Sequence, residues 1–165
     1  MSRLRVIPVL LSENSRLVKG VKFKRHKYIG DTLNAIKIFN EKEVDELMLL
    51  DITATKQERE PDYNFLHEIA SEAFFPMGYG GGITSVKQIE KILRLGIEKV
   101  VLGTAAFTNP QFVYDAVAAV GSQSIVVSVD YRKALMSGLR VYVKNGKLNT
   151  KYSPQEYAKK MEDLG

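Results

Sequence analysis

Two aspartates follow strongly apolar runs and are the first candidates for chemistry. Asp51 closes the run "ELMLLD" and Asp130 closes the run "SIVVSVD". Carboxylates at the ends of core strands can serve as general base and general acid when the fold brings them to one rim. The alternative for each is a loop cap or a pair with a lysine or arginine. The sequence leaves both interpretations open.

Glycines follow two other apolar runs. Gly81 and Gly82 belong to "GYGGGI", and Gly103 precedes Thr104 in "VVLGTAA". Glycine lets the backbone approach an anion closely and offers free N–H groups. The hydroxyl and amide of Thr104 can bind the same phosphate. We therefore predict a phosphate site from these four residues, with tight strand-to-helix turns as the structural alternative.

Positive charge is concentrated near the start of the chain. The first 30 residues hold eight Lys or Arg and one acid, a balance of +7, whereas the other 135 hold 16 bases and 18 acids, a balance of −2. The segment "SRLVKGVKFKRHK", with Lys19 and His26, therefore predicts a cationic loop and a local anion site rather than a nucleic-acid surface. A solvated, mobile charge run is the alternative. His67 lies in an amphipathic helical pattern and is expected to be structural.

Composition excludes several classes of protein and site. Apolar residues make up 45% of the 165 positions, which argues against disorder. The chain has no cysteine and only two histidines, so we expect no metal and no cofactor. Neither a signal peptide nor a membrane span is indicated, and a cytoplasmic protein is expected.

The elements that must position these residues alternate as strand and helix. Five apolar runs are each followed by a segment with helical spacing, which predicts five βα units in a single domain spanning residues 1–165. Such units form either an open doubly wound sheet or a (β/α)8 barrel. A barrel needs about 250 residues, and the ending "MEDLG" is typical of a helix placed before another strand. These features favour the N-terminal part of a TIM barrel.

At these residues the chain resembles the HisF family, the cyclase subunits of imidazole glycerol phosphate synthase. The motifs that carry the resemblance are "RLVKG", "DELMLLDITAT", "YGGGI", "EKVVLGTAAFTNP" and "GSQSIVVSVD". The resemblance implies a TIM barrel of which this chain covers about the first five βα units. It also implies a heterodimer with a HisH-like glutaminase, whose ammonia crosses the barrel and attacks a phosphorylated substrate.

The resemblance assigns roles to individual positions. Asp130, Lys19 and Asp51 match catalytic positions. Gly82 and Thr104 match the first phosphate site, with Gly103 where the family usually has Asn. The remaining matches lie at the opposite end of the barrel: the charged ring around the ammonia entrance is matched by Arg5, Glu46 and Lys99, and positions facing the glutaminase by Glu98 and Gln123.

One departure concerns the first strand. The run "RVIPVLL" ends in Leu10 and Leu11, and Leu11 stands where the family has a catalytic aspartate. The pattern more closely resembles the WbuZ-type paralogues of surface-polysaccharide gene sets, associated with converting a sugar N-acyl group into an amidine. The resemblance therefore implies amidation of a phosphorylated or nucleotide-sugar substrate. The alternatives are histidine biosynthesis and a catalytically inert barrel that acts as a scaffold.

Overall fold

A computed structural model describes residues 4–21, 24–134 and 138–165. The strands in chain order are β1 (Val9–Glu13), β2 (Arg16–Val21), β3 (Lys24–Asp31), β4 (Leu47–Asp51), β5 (Met77–Gly80), β6 (Lys99–Leu102), β7 (Ile125–Val127), β8 (Tyr131–Ala134), β9 (Gly138–Val143) and β10 (Leu148–Asn149). The helices are α1 (Thr32–Glu41), α2 (Tyr63–Glu72), α3 (Val86–Arg94), α4 (Thr104–Thr108), α5 (Pro110–Val120) and α6 (Pro154–Glu162).

The order of the strands distinguishes the two predicted architectures. The main sheet runs β3-β2-β1-β4-β5-β6-β7, and β1, β4, β5, β6 and β7 are parallel. Each new parallel strand adds to the same edge, whereas a doubly wound sheet reverses its order at a switch point. The barrel prediction is therefore confirmed, with the chain forming its first five parallel strands. A smaller antiparallel sheet, β10-β9-β8, follows β7.

Side chains alternate between two faces of the parallel strands. Those on one face pack with the helices in the hydrophobic core; on β4, β5 and β6 they are Leu47, Leu49, Met77, Tyr79, Val100 and Leu102. The opposite, inner face carries Val9, Leu11, Met48, Leu50, Gly78, Gly80, Lys99, Val101 and Val126. Both faces are largely apolar, which explains why these strands read as continuous apolar runs.

The cationic segment after the first strand is a hairpin, so the prediction of a loop there was wrong. Strands β2 and β3 pair antiparallel and extend the sheet beyond β1. Asn14 and Ser15 have φ values of 50° and 63°, and two positive φ angles suit the turn types that match strand twist. Leu17 and Val18 are buried. The hairpin is therefore anchored by its first strand, and residues 22–23 lie outside the described part.

Two other boundaries and two short elements differ from the sequence pattern. The first strand begins at Val9 rather than Arg5, because Pro8 has no N–H to donate to the ladder. The spacing of Leu33, Ile36, Phe39 and Val44 predicts a longer first helix, but α1 ends at Glu41, and Glu43 adopts a left-handed φ of 51°. The short helix α4 and the strand β8 were not predicted. The spacing of Ser153 and Glu156 in "SPQE" predicts a capping box for the last helix, and the structure confirms it with reciprocal hydrogen bonds between the two residues.

Candidate functional site

A cavity of about 820 Å³ opens at the carboxyl ends of the parallel strands. Both candidate aspartates and all four candidate phosphate ligands line it, together with residues that the sequence did not single out. The members used below are Leu11, Gly20, His26, Asp51, Ile52, Arg59, Gly81, Gly82, Gly103, Thr104, Ser128, Asp130, Lys144 and Asn145. The fold thus gathers the predicted site from the ends of β4, β5, β6 and β7.

Both carboxylate oxygens of Asp51 contact groups of the loop that follows β4. One oxygen accepts hydrogen bonds from the Thr53 amide at 2.9 Å, the Thr53 hydroxyl at 2.8 Å and the Ala54 amide at 3.0 Å. The other oxygen pairs with the Arg59 guanidinium at 2.7 Å. This hydrogen bond raises the pKa of Arg59, so the guanidinium stays charged. These contacts favour the loop-cap interpretation of Asp51 over a proton-transfer role.

Asp130 has a different setting. Its position alternates with Val126 and Ser128, so it belongs to the inner-face register. Its backbone carbonyl accepts a hydrogen bond from Tyr142 at 2.8 Å, which fixes the residue beside β9. Burial of the carboxyl group raises its pKa, although the residue as a whole keeps contact with solvent. Within the described ranges, no protein group hydrogen-bonds to this carboxylate, so it is free to act on a ligand.

Strand register places Leu11 opposite Asp130. Leu11 aligns through Leu50, Gly80 and Val101 with Val126, four strands away. In a barrel of eight strands and shear 8, points at equal height shift by one residue per strand. Four steps from Leu11 therefore lead to Asp130, on the far side of the barrel. The position that faces Asp130 carries no proton-transfer group.

The glycine turn after β5 is shaped by its neighbours. Gly81 and Gly82 have φ values of 128° and 71°, which favour glycine. A methyl group on Gly81 would collide with the carbonyl oxygen of Asp51, and one on Gly82 with that of Arg59. Both conformation and close packing therefore require glycine here, and the Asp51 loop forms one wall of the turn.

A turn from the small sheet completes the cavity. The Lys144 amide donates a 3.0 Å hydrogen bond to the Thr104 hydroxyl oxygen, and the Asn145 side chain donates a 2.8 Å bond to the Ile52 carbonyl. Because Thr104 accepts this bond, its own proton remains available for an anion. The Asn145-Gly146 hairpin signal was visible in the sequence, but nothing in it indicated that the turn would reach the cavity.

Of the two candidates in the cationic hairpin, His26 lines the cavity and Lys19 does not. Lys19 is exposed on β2 and is not part of the cavity wall, whereas its neighbour Gly20 and the facing His26 are. His67 is exposed on α2, away from the cavity. The catalytic role of Lys19 therefore stays a prediction, and His26 is the candidate of this hairpin that reaches the cavity.

The opposite end of the strands carries the predicted charged cluster. Glu46 is 1% exposed; one of its oxygens lies 2.5 Å from the Lys99 ammonium, and the other lies 3.9 Å from the Arg5 guanidinium. Pairing with these two cations offsets the cost of burying the Glu46 carboxylate. Glu98 and Gln123 are exposed just before β6 and β7, at the same edge. The three charged residues are thus brought together, and their role stays a prediction.

The described residues contain no group of three or more His, Cys, Asp or Glu side chains that could hold a metal ion. None of the helices in the described ranges is long and apolar enough to cross a membrane.

We expect phosphate or sulfate to bind beside Gly82 and Thr104, since both line the cavity and the Thr104 hydroxyl keeps a proton to donate. Gly82→Ala should weaken binding about tenfold or more, which corresponds to loss of about one charged hydrogen bond. Phosphate titration followed by amide NMR, with ion placement in soaked crystals, measures this.

The matched control is Gly138→Ala. Gly138 has a φ of 73°, close to that of Gly82, but no atom of the described residues lies within 4 Å of its missing side chain. Both variants carry the cost of a left-handed alanine, about 1–2 kcal/mol, and only Gly82→Ala disturbs the cavity. Equal phosphate affinity in the two variants, or an ordered ion only at the Glu46 end, would contradict the assignment.

Comparison with known protein families gives one match over nearly the whole chain. Residues 5–165 match the family described as "Histidine biosynthesis protein" (His_biosynth), whose domain is a (β/α)8 barrel.

Individual relatives agree with this match. The chain is 49% identical to "Putative imidazole glycerol phosphate synthase subunit hisF2" of Pseudomonas aeruginosa and 50% identical to "Putative imidazole glycerol phosphate synthase subunit hisF3" of Vibrio vulnificus. It is 40% identical to "Putative imidazole glycerol phosphate synthase subunit HisF" of Leptospira interrogans. These alignments cover 100% of this chain but only 66%, 64% and 65% of the respective relatives. The chain thus spans slightly less than two thirds of their length.

Proposed function

The chain belongs to the histidine biosynthesis protein family, and from that membership we propose that it is part of an ammonia-using synthase subunit that works with a HisH-like glutaminase. The observation that carries this proposal is the arrangement of the two ends of the sheet. A paired charged cluster lies at the amino ends, a cavity with Asp130 lies at the carboxyl ends, and one apolar face joins them.

The inner face suits a small neutral molecule. Between Glu46 and the cavity it presents Met48, Gly78, Gly80 and Val101. Apolar neighbours fill the places beside the two glycines: Met48 at Gly78, and Leu50 and Val101 at Gly80. An apolar surface disfavours an unpaired ion but admits neutral ammonia. The face therefore supports transfer of ammonia from a partner at the charged end, with Glu98 and Gln123 contacting that partner.

For the substrate we propose a phosphorylated or nucleotide-linked sugar whose N-acyl group becomes an amidine during surface-polysaccharide synthesis. Ammonia would add to the acyl carbon and water would leave. Leu11 supports this over ring closure, because it lines the cavity at the height of Asp130 and cannot move protons. The glycine turn and the cationic hairpin supply contacts for phosphate. A sugar and a phosphate group fit within 820 Å³.

The second candidate is the cyclase reaction of histidine biosynthesis. The names of the relatives favour it, since all refer to imidazole glycerol phosphate synthase. The same ammonia path and the same first phosphate site would serve that reaction. The candidates differ in whether a proton-transfer group is needed at position 11.

Deletion of the complete gene in the source organism tests the proposal. We expect the purified surface polysaccharide to lose a sugar residue bearing an amidine, which mass spectrometry detects as an acyl group retaining oxygen in place of NH. Reintroducing the gene should restore the amidine. Unchanged polysaccharide together with a histidine requirement would favour the second candidate. Full restoration by a gene with Asp130→Asn would favour an inert scaffold.

A further inference from the structure

The first-strand side of the cavity lacks an acid at Leu11 but holds a histidine close to a carboxylate. Glu13 is two residues beyond Leu11 on β1, so it points to the same side of the strand. The Nδ1 atom of His26, on β3, lies 3.5 Å from Oε2 of Glu13. The side chains are 25% and 37% exposed, respectively, so both are partly shielded from water.

Gly20 makes room for the imidazole. The Cδ2 atom of His26 lies 2.7 Å and Nε2 lies 3.2 Å from the place where a side chain on Gly20 would begin. Both Gly20 and His26 line the cavity. With Nδ1 turned towards Glu13, Nε2 lies on the other side of the ring, beside Gly20. This packing holds the ring between two strands of the hairpin.

We propose that His26, oriented by Glu13, is the proton-transfer residue for amidation on the first-strand side of the cavity, which it reaches from β3 rather than from position 11 of β1. The proposal rests on the ammonia-dependent function above. Glu13 is the positioning residue: a carboxylate near Nδ1 keeps the proton on that nitrogen and leaves the Nε2 lone pair for the reaction. A separation of 3.5 Å is long for a hydrogen bond, but catalytic contacts often tighten only when substrate binds.

Other titratable groups in the cavity are less suited to proton transfer on the first-strand side. Asp51 and Arg59 neutralise each other, while Glu58 and Glu60 lie on the loop that follows β4. Lys144 belongs to the turn of the small sheet. Among the described cavity residues, His26 is the titratable group contributed by the β2–β3 hairpin, next to the first strand.

The proton transfers balance. As the nitrogen of ammonia forms a bond to the carbonyl carbon, the π pair moves to oxygen; neutral His26 accepts one N–H proton and protonated Asp130 gives a proton to the oxygen. In the second half, protonated His26 gives its proton to that hydroxyl as the C–O bond breaks and water leaves. The Asp130 carboxylate takes a second N–H proton as the C=N bond forms. Both residues return to their starting states, and the net change is carbonyl plus ammonia to imine nitrogen plus water.

The first test is spectroscopic and needs no substrate. In the complete protein labelled with [15N]histidine, His26→Gln and His67→Gln assign the signals of these two residues, and His67 is the exposed control. We expect the neutral His26 ring to carry its proton on Nδ1, and Glu13→Ala to shift the population towards the Nε2–H form. Glu13→Asp should restore part of the Nδ1–H form. An Nε2–H ring in the unaltered protein, or no response to Glu13→Ala, would overturn the positioning by Glu13.

The second test measures turnover in the gene-deletion strain. His26→Gln should reduce the amidine-bearing sugar on the order of a hundredfold or more, while His67→Gln leaves it unchanged. Full product with His26→Gln would overturn the inference and leave the proposed function intact. Failure of the unaltered gene to restore product would instead remove the proposed function. Inorganic phosphate should also shift the His26 signals and not those of His67; no shift while the Gly82 amide responds would place His26 outside the ligand's reach.

Discussion

Replacing Asp130 with asparagine should abolish ammonia-dependent turnover while leaving the fold intact. A positioned proton-transfer group contributes about 10²–10⁴-fold to rate, and an amide of the same size cannot replace it. Because no group in the described residues hydrogen-bonds to the Asp130 carboxylate, its replacement removes no structural contact. Turnover is measured as the amidine-bearing sugar restored in the gene-deletion strain. The fold is checked by circular dichroism and thermal unfolding.

Asp51→Asn is the matched control for this experiment. The substitution removes the charge that holds Arg59 at 2.7 Å and disturbs an oxygen that accepts three hydrogen bonds. We therefore expect a lower thermal midpoint and a partial loss of turnover. The reverse pattern, with full activity for Asp130→Asn and an inactive but fully stable Asp51→Asn, would exchange the roles assigned to the two aspartates.

The complete, unmutated protein, paired with its own glutaminase, should fail to rescue a strain that lacks the histidine cyclase. Register places Leu11 at the height of Asp130, where ring closure would need a second proton-transfer group. Loss of such a group costs about 10²–10⁴-fold in rate. Growth without histidine is the measurement, with an authentic cyclase gene as the positive control. Robust growth would show that Leu11 is compatible with cyclisation and would favour the second candidate function.

Leu11→Asp extends this experiment. The added carboxylate could restore a trace of cyclase activity, but an unpaired charge on a largely apolar face is costly and would lower stability. Leu11→Asn is the suitable companion, since it changes polarity without adding a group that transfers protons. Growth with aspartate and not with asparagine would show that position 11 acts through proton transfer.

The sequence by itself determined the βα pattern and the chemistry-bearing strand ends. Short apolar runs, each followed by helical spacing, are typical of parallel strands covered on both faces, and this pattern predicts the order of the five parallel strands and of the main helices that follow them. Asp51, Gly82, Thr104 and Asp130 follow such runs directly, so their presence at the carboxyl rim could be predicted from local signals. The capping box at Ser153 was equally local.

Only the tertiary structure decided what these residues do there. Asp51 and Asp130 look alike in sequence, yet one is surrounded by hydrogen-bond donors and the other is not, because strand alternation turns them to different faces. The contact between Asn145 and Ile52 joins positions 93 residues apart. The approach of His26 to Glu13 depends on the β2–β3 hairpin, whose many charged residues predicted a loop rather than strands. Such contacts arise from register and packing between distant segments, and local sequence patterns do not encode them.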